Sequence, residues 1–271
     1  MELTIAHLYP DLLNIYGDRG NIICLTNRCL WRGIGVKVIN LSVDDPLEAK
    51  KYDLFFGGGG QDRQQLIVAK DLQKKAAVLR QEANRGVPML TICGTYQLFG
   101  HYFKTSDGIK IPGISIFDAY TIASNQRKIG NIVIRLNKLL NTKYSILNTK
   151  LVGFENHSGN TFINTINTKN TKSNTQGVKI IPPRRWLTLD TSFLGTIIKG
   201  FGNNGKDETE GAVYKNVFGT YLHGPLLPKN PHFADLLIKL ALEIKYKEKV
   251  VLRPLDDNLE WQAHREAIKR T

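Results

Sequence analysis

Strand-like and helix-like segments alternate along the first hundred residues of this chain. Leu3–Leu8, Val36–Leu41, Asp53–Phe56 and the run from Val87 to Ile92 are short and apolar, as strands buried in a sheet are. Between them, Gly20–Arg32 and Gln61–Asn84 read as helices, the second with Leu66, Ala69, Leu72, Ala76 and Leu79 on one face. This alternation predicts an α/β fold, a mainly parallel central sheet with helices on both faces. Ligands in such sheets collect at the carboxyl ends of the strands. Gly57–Gly60 and Cys93 both fall there, one after the third strand and one after the fourth.

From Ile111 onward the pattern changes to short β runs without helices between them: Ile114–Phe117, Tyr120–Ala123, Gly130–Leu136, Leu151–Phe154, Gly195–Gly200 and Ala212–Tyr221. These predict antiparallel strands flanking the main sheet. Pro231–Tyr246 reads as an outer helix, and Asp256–Asp257 as the cap of a last helix over Asn258–Arg270. Asn160–Gln176 is dominated by Asn, Thr, Lys and Ser, too polar to offset its ordering entropy, and predicts a mobile loop. Ile180–Asp190, with Pro182, Pro183 and Trp186, finds no place in this scheme. The expected organisation is one domain over 1–252, with an insertion at about 160–190, and a C-terminal helix over 253–271. At 271 residues the chain can build an ample core.

The formal charge of +13 permits attraction to nucleic acid, an anionic membrane or an acidic partner, or simply a solvated basic surface. No helix-turn-helix, zinc-finger or RNA-binding signature accompanies it, so no nucleic-acid partner is expected. No apolar run has the length of a membrane span, and Met1–His7 begins as a strand rather than a signal peptide. The chain is therefore expected to be cytoplasmic and not membrane-embedded. Cys24, Cys29 and Cys93 lack metal-ligand spacing, so no metal site is expected. Cys24 and Cys29 lie in a helical segment, where burial explains them, and free thiols fit a reducing compartment.

Cys93 differs because of its setting. In Val87–Pro88–Met89–Leu90–Thr91–Ile92–Cys93–Gly94 an apolar strand stops at the thiol and a helix-like segment follows. A strand-to-helix turn aims helix N–H groups at such a sulfur, which favours the thiolate and offers donors to an oxyanion. A buried packing role is the alternative. A cysteine nucleophile needs a base. His223, in Gly219–Thr220–Tyr221–Leu222–His223–Gly224–Pro225, ends a predicted strand and is the first candidate; His157 is the second. Gly57–Gly60 is followed by no Gly-Lys-Ser/Thr and lacks dinucleotide-binding spacing. It is either a tight turn or a loop that brings N–H groups close to the chemistry at Cys93.

Taken together, Tyr16–Gly17–Asp18–Arg19–Gly20–Asn21, Phe56–Gly57–Gly58–Gly59, Thr91–Ile92–Cys93–Gly94, Gln97, Gly130–Asn131–Ile132–Val133, Gly153–Phe154–Glu155–Asn156–His157 and Gly219–Pro225 resemble the cobyric-acid-synthase-like class I glutamine amidotransferases. Within that family the pattern is similar to the GatD-type subunits of lipid II isoglutaminyl synthases. The resemblance covers most of the chain outside Asn160–Asp190. It implies a flavodoxin-like fold and hydrolysis of L-glutamine through a γ-glutamyl thioester on Cys93, with His223 as base. It further implies an oxyanion hole from Gly59 or Gly60 together with Gly94, a substrate-side role for Gln97, and an α-carboxylate site at Arg127. A guanidinium suits that last task by its bidentate geometry. No ATP motif is visible, so no cofactor is expected on this chain. The resemblance implies that a heterodimeric MurT-like Mur ligase partner uses ATP and receives the ammonia, amidating the D-glutamate of lipid II in peptidoglycan synthesis.

Three positions depart from the family's pattern. Pro225 stands where triad members carry glutamate, which implies a Cys–His dyad; Asp18 is expected either to orient His223 or to cap the following helix. Thr95 replaces a second glycine and is expected to crowd the helix start, and Asn160 replaces an arginine. Alternatives with the same residues are a corrinoid amidotransferase, a catalytically silent binding subunit and a PfpI-type cysteine hydrolase.

Overall fold

The computed structural model describes residues 1–144, 149–164 and 191–270. The first half alternates as expected: β1 (Glu2–Leu8), α1 (Arg19–Leu30), β2 (Gly35–Leu41), β3 (Leu54–Gly57), α2 (Asp62–Arg85), β4 (Met89–Ile92) and the short α3 (Gly94–Phe99). An aspartate in the first turn and Gly86 in the left-handed conformation after the last bound the long helix α2. The four residues of β3 and of β4 are all buried, as strands covered on both faces must be.

The second half supplies β5 (Tyr102–Lys104), β6 (Lys110–Pro112), β7 (Ala119–Leu136), α4 (Lys138–Tyr144), β8 (Lys150–Ile163), β9 (Gly195–Lys199), β10 (Thr209–Glu210), β11 (Ala212–Tyr214) and β12 (Val217–Thr220). Helices α5 (Pro231–Tyr246) and α6 (Asn258–Lys269) follow. The main sheet runs β11-β12-β4-β3-β1-β2, parallel except for the β11–β12 hairpin at its edge. The remaining strands form a second sheet, β10-β9-β7-β5-β6, with β8 also paired to β7. The antiparallel strands therefore do more than flank the main sheet: most of them build a layer of their own.

Three expectations need correction. Ile114–Phe117 is no strand; its N–H groups bond carbonyls of Leu98, Phe99 and Gly100 at the end of α3, while Ile114, Ile116 and Phe117 fill the core. Tyr120–Ala123 and Gly130–Leu136 are one strand, β7, whose register on β8 shifts between Ala123 and Lys128. The polar tract starting at Asn160 first continues β8, because Thr161 pairs with Thr121 and turns its hydroxyl to Tyr221. The rest of that tract within 165–176, and Ile180–Asp190, lie outside the described residues.

The C-terminal segment is tied to the domain through Arg28 of α1. Its buried guanidinium bonds both Asp235 on α5 and Asp257 at the start of α6. Among the described residues no helix is long and apolar enough to cross a membrane, and no cluster of His, Cys, Asp and Glu is arranged to hold a metal.

Candidate active site

Neighbouring parallel strands end at one rim and bring distant residues together. β4 lies between β3 and β12, with Ile92 in register with Thr220, and the Cys93 N–H donates to the Thr220 carbonyl at 2.8 Å. Cys93 itself has φ 49° and ψ −101°, a strained turn between β4 and α3. A non-glycine residue in such a conformation costs about 1–3 kcal/mol and persists where its surroundings enforce it. The thiol is buried, with only 5 % of the residue exposed.

His223 lies three residues beyond the end of β12 rather than in the strand. Two backbone bonds with Phe154 of β8, at 2.8 and 3.1 Å, fix it where the two sheets meet. Its Nδ1 faces Asp18, 3.1 Å from Oδ1 and 3.2 Å from Oδ2. Both residues are fully buried. The Asp18 side chain makes no capping bond to α1, so of its two expected tasks it has the one at His223. Pro225 packs against Gly20 at the start of the same helix.

Gly59 packs against both Cys93 and His223. A methyl group built on it would lie 2.6 Å from His223 Cε1 and 3.2 Å from Cys93 Cβ, so only glycine leaves room there. The Gly59 N–H donates to Asp18 Oδ2 at 2.7 Å and is therefore committed, contrary to its expected role as an oxyanion donor. Gly60 and Gly94 adjoin each other, and neither N–H has an acceptor among the described residues. Those two donors remain for an oxyanion beside the sulfur.

Thr95 does not crowd the helix start. Its hydroxyl donates to the Gly58 carbonyl at 2.7 Å, and its N–H points at the same oxygen at 3.3 Å. The Gly58–Gly59 peptide is thus held at both ends, by Thr95 on its carbonyl and by Asp18 on its N–H.

Charge follows from this arrangement. Burial alone would favour a neutral imidazole at His223, but the carboxylate of Asp18 and then the thiolate of Cys93 outweigh it and raise its pKa from 6.5 to about 10. The site therefore favours the imidazolium form of His223. His223 Nε2 has no hydrogen-bond partner among the described residues. His157, the second candidate, is stacked face to face on Tyr221, and its Nδ1 bonds the Gly159 carbonyl. Burial lowers its pKa, and this packing leaves His223 as the histidine coupled to the sulfur.

Gln97 donates through Nε2 to the Tyr221 hydroxyl at 3.1 Å, while its buried Oε1 has no partner among the described residues. Arg127 projects from the unpaired stretch of β7, where a bulge frees the backbone from the ladder. Its Nε donates to Asn156 Oδ1 at 2.6 Å and its Nη2 to the Tyr16 hydroxyl at 3.1 Å. Tyr16 and Tyr221 stand in the motifs that carry Asp18 and His223, but nothing in the sequence gives either a role of its own. Asn160, at the position of the family's arginine, accepts a bond from Lys128 Nζ at 2.6 Å.

Comparison with known proteins places the chain in a family. The family of CobB/CobQ-like glutamine amidotransferase domains matches residues 4–231. The GatD subunit of the glutamine-hydrolysing lipid II isoglutaminyl synthase of Staphylococcus aureus strain N315 is 36 % identical over 271 residues, covering 99 % of this chain and 96 % of its own. The subunit of that name from Streptococcus pneumoniae strain R6 is 38 % identical over 260 residues, covering 95 % and 87 %. A crystal structure of a glutamine amidotransferase aligns over 87 % of this chain and 98 % of its own, with a TM-score of 0.50 at 10 % identity, and supports the fold.

Proposed function

Because the chain belongs to the CobB/CobQ-like glutamine amidotransferase family, we propose that it hydrolyses L-glutamine at Cys93 and supplies the ammonia to lipid II amidation. The observation that carries this reading is the buried arrangement of Cys93, His223 and Asp18 at one rim, with the free N–H groups of Gly60 and Gly94 beside the thiol.

The Cys93 thiolate attacks the side-chain amide carbon of glutamine, and the carbonyl oxygen gathers negative charge between the N–H groups of Gly60 and Gly94. As the tetrahedral species collapses, the C–N bond breaks and the His223 imidazolium gives its proton to the leaving nitrogen. Ammonia departs and a γ-glutamyl thioester remains on Cys93. A water molecule, deprotonated by the now neutral His223, hydrolyses the thioester and releases glutamate. Asp18 holds His223 in the tautomer that presents Nε2 to the reaction, a third member supplied from the β1–α1 connection. Arg127 is assigned the α-carboxylate of glutamine, and Gln97 lies beside the substrate.

The acceptor side belongs to a second subunit. A MurT-like Mur ligase partner, working at the cytoplasmic membrane face, uses ATP to activate the D-glutamate carboxylate of lipid II and captures the ammonia as D-isoglutamine. This chain then needs no cofactor. Near-full-length identity to two GatD subunits favours this acceptor over a corrinoid. The test is reconstitution: the chain purified with a Mur-ligase-type partner, glutamine, ATP and lipid II is expected to release ammonia and yield amidated lipid II by mass spectrometry. Ammonia release without amidation of lipid II would overturn the acceptor and leave the glutaminase.

A further inference from the structure

Tyr16 sits in the turn Ile15–Gly17, just before Asp18, with φ 53° and ψ 28°. Left-handed backbone at a bulky residue is strained, and here neighbouring bonds hold it: the Ile15 N–H donates to the Gly59 carbonyl and the Asp18 N–H to the Ile15 carbonyl. The consequence is a half-exposed tyrosine whose ring meets the His223 ring edge-on, with centroids 5.1 Å apart. Its hydroxyl accepts from Arg127 Nη2 at 3.1 Å, so one side chain touches both the base and the arginine. The two contacts come from different layers, since Arg127 lies on β7 of the second sheet and Tyr16 on the connection after β1.

Building on the proposed glutaminase reading, we propose that Tyr16 is a positioning residue that sets Arg127 for the substrate's α-carboxylate and closes over His223. Asn156 takes Arg127 Nε and Tyr16 takes one N–H of Nη2. The outer edge of the guanidinium, formed by Nη1 and the other Nη2 proton, stays open for a carboxylate in the paired geometry that arginine favours. The Tyr16 hydroxyl keeps its own proton, which points to a further hydrogen bond to the same carboxylate. Its ring, meanwhile, braces the imidazole edge-on. The ligand class is thus an α-amino acid with a free carboxylate, and Tyr16 links its recognition to the base.

The test compares Tyr16→Phe and Tyr16→Ala by steady-state ammonia release, with Arg127→Ala, the double variant Tyr16→Phe/Arg127→Ala and Cys93→Ser alongside. Tyr16→Phe keeps the ring and loses the hydroxyl; it is expected to raise KM for glutamine about tenfold with kcat within twofold of wild type, the size of one hydrogen bond to a charged group. Tyr16→Ala is expected to lower kcat as well. The double variant is expected to be no worse in KM than Arg127→Ala alone, because the two act through one contact. A wild-type KM in Tyr16→Phe, with Cys93→Ser inactive, would overturn the role of Tyr16 and leave the glutaminase reading standing. Full activity in Cys93→Ser would overturn the glutaminase reading itself. Equal losses in kcat and KM for both tyrosine variants, tracking a lowered melting temperature, would make Tyr16 a structural residue and also overturn the proposal.

Discussion

His223 Nδ1 lies 3.1 Å from Asp18 Oδ1, although 205 positions separate the two residues in the chain. That contact is fully buried, and the same carboxylate also accepts the Gly59 N–H. Asp18 therefore orients the base and holds the glycine loop at once. Under the proposed reading, Asp18 fills from another segment the place of the glutamate that Pro225 displaces in sequence.

Replacing Asp18 by asparagine removes the strongest charge that keeps His223 protonated. Since the His223 pKa is raised from 6.5 to about 10, the imidazolium persists at neutral pH and is lost as pH rises through about 10. The stability contributed by its ion pairs is correspondingly full below about pH 6.5 and lost through the same alkaline range. Asp18→Asn is expected to lower kcat on the order of a hundredfold, within the range of acid–base catalysis, and to move the alkaline limb of the pH–rate profile downward. A pH profile of ammonia release from pH 6 to about 11 checks both.

Gly59→Ala puts a methyl group where there is 2.6 Å to His223 Cε1. The expected outcome is a folded protein, destabilised by about 1–3 kcal/mol as overpacking generally costs, with ammonia release reduced at least on the order of a hundredfold. Urea unfolding and glutaminase assays measure the two effects separately.

Thr95→Val keeps the shape of the side chain and loses the bond from its hydroxyl to the Gly58 carbonyl. With one end of the Gly58–Gly59 peptide released, kcat is expected to fall about tenfold, the scale of one buried hydrogen bond, with KM little changed. Thr95→Ser is expected to restore the rate. Kinetics of the two variants side by side decide between a clamp and a space-filling residue.

Glu210 is fully buried; Oε1 accepts from the Thr220 hydroxyl and the Tyr221 N–H, while Oε2 has no partner among the described residues. Burial raises its pKa from 4.5 to about 7. The folded state thus holds a proton that the unfolded chain releases, and stability declines as pH rises from 4.5 through 7. Glu210→Gln is expected to remove that decline and raise stability at pH 8 by on the order of 2 kcal/mol, with little change near pH 5. Thermal unfolding at the two pH values checks the difference.

The parallel half of the fold was legible because its strands and helices repeat locally: β1, α1, β2, β3, α2 and β4 are written in apolar spacing and in glycine stops. The second sheet was not, because pairing decides it. Ile114–Phe117 is as apolar as a strand, yet its N–H groups find the end of α3. Thr161 and Phe162 belong to a polar tract, yet β7 draws them into a ladder. At the site, the residue types announced a thiol, a base and a glycine loop. Which way each hydrogen bond points was beyond them. The commitment of the Gly59 N–H to Asp18, the Thr95 clamp and the Tyr16 bridge depend on side chains brought together from distant segments, and no local pattern encodes those contacts.

In the proposed reaction the Cys93 sulfur becomes covalently bonded to the glutamyl group. The measurement mixes the protein, in complex with the proposed synthetase partner, with glutamine, quenches in acid within a turnover and weighs the peptide that carries Cys93. The expected result is an added mass of one γ-glutamyl group on that peptide, absent from Cys93→Ala and released by hydroxylamine. Ammonia release at the wild-type rate by Cys93→Ala, or the adduct on a different residue, would contradict it.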